Sequence, residues 1–571
     1  MVLRASSITG PAGISLDANK LFGQGDLNLL FGTVAIVLIL LLLIYRSPIL
    51  ALVPLVGVGI AYGIISPLLG WIGENGWAEF DSQGLSIMTV LLFGAGTDYC
   101  LFLISSYRSY LEKEEDKFAA MRLAISSSSG AIAMSGLTVV FSLLALLLAK
   151  YGSIHRFAIP FSLSILIMMA ASLTLVPAIL SVLGRSSFYP FIPRTPGMKK
   201  LRAEKGGKVY SPLQKNEGLG LKIGGMIGKR PWQIAMATTL LLVVFAFFST
   251  RIEYTYDTLS SFPKEMPSRE GFALISDHFS PGDLAPVHVI ADTDGKQTDI
   301  REVLENLSFI ASVASPELGK KDSGMELYEV KLAKNPYSNE AMEHITDIRA
   351  KAVEALKEAG IEHSSEKVWI GGMTAEQYDT KEITVRDSDV IIPVILAMIA
   401  VLLLGYLRSI TATAYLIGTV VLSYFSALGL GWIVLHYGFG VEAIQGFIPL
   451  YAFVFIVALG EDYNIFMVSG IWRKSKEMPL WRAVKEGVAE SGAVITSAGL
   501  ILAGTFMVLT TLPIQILVHF GTITAIGILL DTFIVRPFLV PAITVLLGKW
   551  AFWPSKRNMD AAASQREVQK G

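Results

Sequence analysis

Apolar residues run along this chain in long uninterrupted stretches, not in the short alternating or i, i+3, i+4 patterns of a water-facing fold. Stretches at about 27–45, 49–69, 84–107, 127–149 and 157–183 are each long enough to cross a bilayer, which takes roughly 20 residues. Another lies at 231–250, and five more at 388–407, 410–435, 444–470, 490–510 and 516–547. The pattern predicts about 11 spans, grouped five, one and five. Polar segments separate the groups: residues 1–26 at the start, a connection over 184–230, a long stretch over 251–387, and a tail over 549–571.

The stretch 251–387 has the periodicities of a folded module. Strand-like runs fall at Pro286–Ala291, Phe309–Val313, Met325–Leu332 and Lys367–Ile370, and helix-like segments at Asp299–Leu307 and Ser338–Ala359. The order β-α-β-β-α-β is that of a split, ferredoxin-like unit. No Ser/His/Asp set or metal cluster is legible in it.

Composition agrees with a membrane protein. The chain of 571 residues is 52% hydrophobic and 17% charged, with a mean hydropathy of +0.54, well above the soluble range. A net charge of −1 without a basic stripe argues against nucleic acid as partner, and seven scattered histidines give no metal-ligand spacing. The one cysteine, Cys100, excludes an intrachain disulfide and reads as a small packing residue. No Gly-x-x-x-x-Gly-Lys-Ser/Thr loop is present to bind ATP.

Lys and Arg collect at Arg108–Arg122, along 184–229 (Arg185, Arg194, Lys199, Lys200, Arg202, Lys205, Lys208) and at Arg473–Lys485. Short cytoplasmic loops accumulate such charge. These segments are therefore expected inside, and the 251–387 module outside the cytoplasm. Lys474–Val488 and Glu112–Met121 read as amphipathic interfacial helices, and Ser126–Ser129 as a helix start.

The chain repeats itself. Setting Arg46-Ser47 on Arg408-Ser409 places Ile8-Thr9-Gly10 on Ile370-Gly371-Gly372 and Asp17 on Asp379; farther on, Ser129-Gly130-Ala131 meets Ser491-Gly492-Ala493. Helices run the same way in both halves, a parallel-repeat plan in which coupling sites lie where the halves meet. The first half has no counterpart of the span 231–250 or of most of the module after it. The chain is accordingly expected to be truncated at its amino terminus, with 1–26 the end of a first outer module, a strand around Leu3–Ile8, and a separate chain as one source of the missing span.

Two ionisable motifs interrupt the apolar runs at repeat-equivalent places. Gly94-Ala-Gly96-Thr97-Asp98-Tyr99-Cys-Leu-Phe102 lies in the run 84–107, and Gly460-Glu461-Asp462-Tyr463-Asn-Ile-Phe466 in the run 444–470. A carboxylate at mid-depth in a bilayer costs several kcal/mol unless it faces protein, so each motif marks a functional site. Asp98 lies ten residues, roughly 15 Å of helix, before Arg108. Burial favours the neutral acid and a hydrogen-bond donor favours the carboxylate, so a small rearrangement can load or unload a proton. The tyrosine of each repeat can donate to the carboxylate of the other, giving two crossed Asp···Tyr bonds; static interhelical glue is the plainer alternative. Glu461 points about 100° away from Asp462, as a second proton site or a partner for a neighbouring helix. Asp531 and Arg536, in the last span, read equally as an interior ion pair or as relay residues.

These motifs, with Tyr45-Arg46-Ser47-Pro48 and Asp531-Thr-Phe-Ile-Val-Arg536-Pro537, resemble the MmpL family of the resistance-nodulation-division transporter superfamily over almost the whole chain. The resemblance implies a proton-driven exporter of lipids or other hydrophobic or amphipathic compounds in the bacterial cytoplasmic membrane; the alternative reading is a non-transporting membrane lipid sensor or assembly factor, or an inactive fragment of a transporter. It implies no catalytic residue, no metal and no cofactor beyond the proton gradient, and an assembly between monomer and trimer. It also implies that Asp98, Tyr99, Asp462 and Tyr463 form the relay, with Ser135 associated and Phe102 and Phe466 packed beside the pairs. The chain departs from the pattern in Glu461, which stands where the first repeat has Thr97, and in lacking the family's first span and first porter domain.

Overall fold

In the computed structural model the described residues are 11–204, 219–257, 259–263, 265–278, 281–283 and 285–554. The apolar runs are helices. The first repeat comprises α1 (Pro11–Tyr45), α2 (Pro48–Glu74), α3 (Ser82–Leu111), α4 (Lys117–Leu144) and α5 (Gly152–Leu173). The helix α6 (Pro231–Phe248) leads to the α/β module, which contains α7 (Ile300–Glu305) and α8 (Ile345–Glu358). The second repeat comprises α9 (Met373–Leu407), α10 (Ile410–Ile433), α11 (Ile448–Lys474), α12 (Leu480–Val508) and α13 (Gln515–Leu530). Eleven helices among the described residues are long and apolar enough to cross a membrane.

The repeat extends to the punctuation between helices. α1 and α9 are both 35 residues long, and each stops at an arginine in the left-handed region, Arg46 and Arg408, both with φ 51°. Ser47 and Ser409 then cap α2 and α10, accepting from the backbone N–H of Leu50 and Ala412. A cap of this kind satisfies one of the orphan donors of a helix's first turn.

The polar flanks carry helix beyond the apolar runs. Residues 11–26, expected as the tail of an outer module, continue α1 as helix, and the expected strand at Leu3–Ile8 lies outside the described residues. Their polar face meets the segment after α6: Asp17 accepts a hydrogen bond from the Ser268 N–H at 3.1 Å, and Ile14, Ala18 and Leu21 pack near Leu259, Phe262 and Met266. The segments read as interfacial helices are likewise the ends of spans. Lys117 begins α4 and Leu480 begins α12, so Ser126–Ser129 lie well inside α4.

The α/β module has the expected topology. Strands β1 (Val287–Asp292), β2 (Ile310–Val313), β3 (Met325–Leu332) and β4 (Val368–Gly371) form an antiparallel sheet in the order β2-β3-β1-β4, with Glu317–Leu318 added beside β3. Val289 sits opposite both Tyr328 and Ile370. Alternate β1 residues Val287, Val289 and Ala291 are buried in a core shared with Ile348, Ala352 and Leu356 of α8. That alternation is what a sheet covered on one face requires. The module is tied to the bundle by a two-residue pairing of Tyr254–Thr255 with Ile444–Gln445 before α11.

A second tie joins the repeats. Asp387 of α9 is fully buried and its carboxylate accepts from the N–H groups of Lys150 and Tyr151, at 2.8–3.0 Å, in the turn between α4 and α5. α6 packs on α10 so closely that a Cβ at Gly429 would lie 1.8 Å from the Phe245 carbonyl oxygen, and Ser426 Oγ donates to the Leu242 carbonyl at 2.8 Å. On α2 the repeat-equivalent residues are Ile64 and Pro67, both exposed.

Candidate functional site: a buried Asp–Tyr seam

The two motif helices occupy the middle of the bundle. α3 is buried along all of its apolar window and α11 along 88% of its window, whereas the rim helix α6 is buried along only 11%. Glycines admit the neighbours beside Asp98. A Cβ at Gly94 would lie 2.6 Å from Thr505 Oγ1 of α12, and one at Gly96 would lie 2.9 Å from Met168 of α5. The motif's small residues are thus set by close packing.

Across the seam between the repeats, the Tyr463 hydroxyl donates to Oδ2 of Asp98. Both side chains are buried, at 2% and 5% exposure. A step toward the basic end, Phe102 and Phe466 stack with ring centroids 3.6 Å apart and planes within 4°, and Phe102 also touches the Tyr463 ring. Ser135 of α4 is buried and lines, with Asp98, Tyr99, Phe102, Leu459 and Tyr463, a cavity of about 10 Å³, roughly the space of one water. Six of the ten residues singled out from the sequence therefore meet here. The Asp462 side chain lies outside the described residues, so the expected second bond to Tyr99 is not described.

Asp531 and Arg536 form the other cluster. Five residues apart on an α-helix they would diverge by about 140°, but Asp531–Leu539 is a π-helical segment, whose i, i+5 periodicity brings them together. They form a buried ion pair. Arg536 also donates to the Gly460 carbonyl at 2.7 Å and lies 4.0 Å above the Tyr463 ring centroid. The pair thus braces the tyrosine that holds Asp98, a link that periodicity in α-helical terms hides. Glu461 is fully buried, with Asn464 Nδ2 at 3.5 Å from Oε2.

A cavity of about 760 Å³ opens on the Lys- and Arg-rich end and reaches Phe102 and Phe466. Ser105, Ser106, Ser109, Ser127, Ser128 and Ser491 line it. Ser127 and Ser128, expected at a helix start, thus border an open polar space. The signal available in the sequence was the serine run itself, on a helix whose true start lies ten residues earlier.

Among the described residues, no group of three or more His, Cys, Asp or Glu could hold a metal ion. Eleven helices of membrane-spanning length among the described residues, in two parallel repeats with a separate α/β module and a buried polar seam, describe a multi-pass membrane protein. Comparison with known proteins agrees. The profile of the MMPL family matches residues 4–206 and 263–568, and the chain belongs to that family. It is 59% identical over 99% of its length to the apo-petrobactin exporter of Bacillus anthracis, covering 75% of that protein. It is 38% identical over 96% of its length to the putative membrane protein SCO5905 of Streptomyces coelicolor, covering 64% of it. It is also 26% identical over 91% of its length to the mycolic acid-containing lipids exporter MmpL11 of Mycolicibacterium smegmatis. SecDF, a translocon-associated membrane protein from Thermus thermophilus, shares the fold, with a TM-score of 0.56 at 15% identity over 92% of this chain and 63% of SecDF.

Proposed function

We propose that the chain is a proton-driven exporter working through the Asp98–Tyr463 seam. The observation that carries this reading is a carboxylate with a tyrosine donor from the other repeat, buried beside a water-sized cavity. An ionised Asp98 accepts the Tyr463 hydroxyl; a protonated Asp98 carries its own donor and competes with that bond. Loading and unloading the acid therefore changes what joins the repeats. The serine-lined cavity supplies a wet route from the cytoplasmic end, and the Phe102–Phe466 stack separates it from the acid. Tyr99 and Asp462 are proposed as the crossed partner pair.

Identity of 59% to an apo-petrobactin exporter makes apo-petrobactin, or an amphipathic molecule of similar kind, the first substrate to test. A lipid substrate is the second reading, favoured by the more distant similarity to MmpL11. The experiment is apo-petrobactin uptake into inside-out vesicles energised by an imposed proton gradient. Wild-type vesicles are expected to accumulate it, and Asp98→Asn, which keeps size and removes titration, should abolish gradient-dependent uptake at unchanged membrane abundance. Wild-type rates in Asp98→Asn would refute the relay. Lipid flux with no uptake of apo-petrobactin would select the second reading.

A further inference from the structure

One buried carboxyl has no place in the relay just described. Glu461 lies two residues before Tyr463, about 200° around α11, and so points away from Asp98. It is fully buried. Its Oε2 has the Asn464 amide at 3.5 Å, and Oε1 has no hydrogen-bond partner among the described residues. An ionised carboxylate is not sustained by one long bond in such a place.

The surrounding charges do not supply the deficit. Arg536 reaches the carbonyl of the preceding residue, Gly460, at 2.7 Å, and it already serves Asp531 and lies on the Tyr463 ring. Tyr415 of α10 shares its hydroxyl with Thr544 at 3.0 Å. The other helices packed on α11 bring no charge to this depth. α4 has no Asp, Glu, Lys, Arg or His after Arg122, α9 none after Asp389, and α12 none after Glu490, while α13 has only His519 in its first turns. Among the described side chains, which do not include that of Asp462, one guanidinium thus lies near both Asp531 and Glu461, and Asp98 is on the other side of Tyr463.

We propose that Glu461 is a second proton-carrying carboxyl of the transporter, loaded in the arrangement seen here. Its proton leaves to water when Arg536 slides off the Tyr463 ring and pairs with the carboxylate so formed. Arg536 is then the moving part shared by both sites. Release of the Asp98–Tyr463 bond frees the ring on which the guanidinium rests, so the two acids discharge in one cycle. The proposal rests on Asp98 being the first proton site, and it raises the count of protons per cycle by one.

Two measurements on the full chain test it. In nanodiscs, infrared difference spectra across a pH titration should show separate carboxylic C=O bands, one lost in Asp98→Asn and a different one lost in Glu461→Gln. Asn464→Leu, which removes the amide and leaves the acid, should shift only the second. In vesicles, the limiting apo-petrobactin gradient should fall in Glu461→Gln by about 50-fold per 100 mV of driving force, the contribution of one proton. Glu461→Asp should restore it. A Glu461→Gln spectrum that keeps every carboxylic band, or a gradient equal to wild type, would overturn the second site and leave the first standing. Failure of the first site would show separately, as a gradient sustained by Asp98→Asn.

Discussion

Replacing Arg536 by methionine tests whether the last span braces the seam or merely fills it. The guanidinium is 2% exposed and so is Asp531. Removing one partner of a buried ion pair leaves the other charge uncompensated, a loss of about 3–5 kcal/mol. The cation–π contact at 4.0 Å, desolvated here, adds up to about 2 kcal/mol, and the Gly460 carbonyl loses its donor. Arg536→Met should therefore destabilise the chain by at least about 4 kcal/mol. The double variant Asp531→Leu/Arg536→Met removes both charges and should recover most of the pair term, so that the cycle reports a coupling of about 3 kcal/mol. Denaturant unfolding of the purified protein in detergent, followed by tryptophan fluorescence, measures each corner. Transport should not recover with stability, since the double variant still lacks the clamp on Tyr463. Additive effects, within about 0.5 kcal/mol, would mean that the two side chains are not coupled. A fully active double variant would mean that bracing Tyr463 is irrelevant.

Phe102→Ala should open the partition between the serine-lined cavity and Asp98. Losing a stacked pair worth about 0.5–1.5 kcal/mol should raise the rate at which a cysteine at Ser135, in a Cys100→Ala background, reacts with a polar thiol reagent applied from the cytoplasmic side, by about two- to tenfold. Unchanged labelling would show that the ring pair is not the barrier. Outside the bilayer, burial pushes the Asp257 carboxyl above its ordinary value of 3.8, against the backbone N–H of Leu259, the Ser260 donors and Arg269, which pull it down. The folded state then binds more protons than the unfolded one between the ordinary value and the raised one, so stability falls as pH rises through that window. Asp257→Asn should remove this slope and leave the protein more stable at neutral pH, as read from unfolding midpoints across pH; a slope unchanged by the substitution would count against it.

What the sequence disclosed followed from periodicity. Uninterrupted apolar runs located the eleven spans found among the described residues, and alternation in Val287–Asp292 marked the first strand of the sheet. The Arg-Ser junctions fixed the repeat because a left-handed stop and a serine cap leave a recognisable signature. Helix ends were hidden wherever a span continues into water: residues 11–26 are polar because of what surrounds them, not because they leave the helix. The Arg536 brace was hidden because a five-residue spacing suits a π-helix and no residue type announces one. Glu461 was visible as an oddity, but its isolation from Asp98 and its shared cation needed coordinates. Asp387 gave only the weak signal of a carboxylate where an apolar run begins.

That aspartate sets the mechanics of the molecule. α9 is a rod of 35 residues, about 52 Å long at 1.5 Å per residue, and the carboxylate that grips the turn between α4 and α5 stands about 21 Å from the end nearest the α/β module. A rod held at an intermediate point is a lever with unequal arms, here about 21 and 30 Å. A tilt of about 5° about that fulcrum displaces the two ends in opposite directions by roughly 2 and 3 Å, the scale of helix shifts that switch other proteins. Such a tilt would carry the end of α9 at the α/β module in the opposite direction to the end at Arg408, over a shorter stroke and with force gained in proportion.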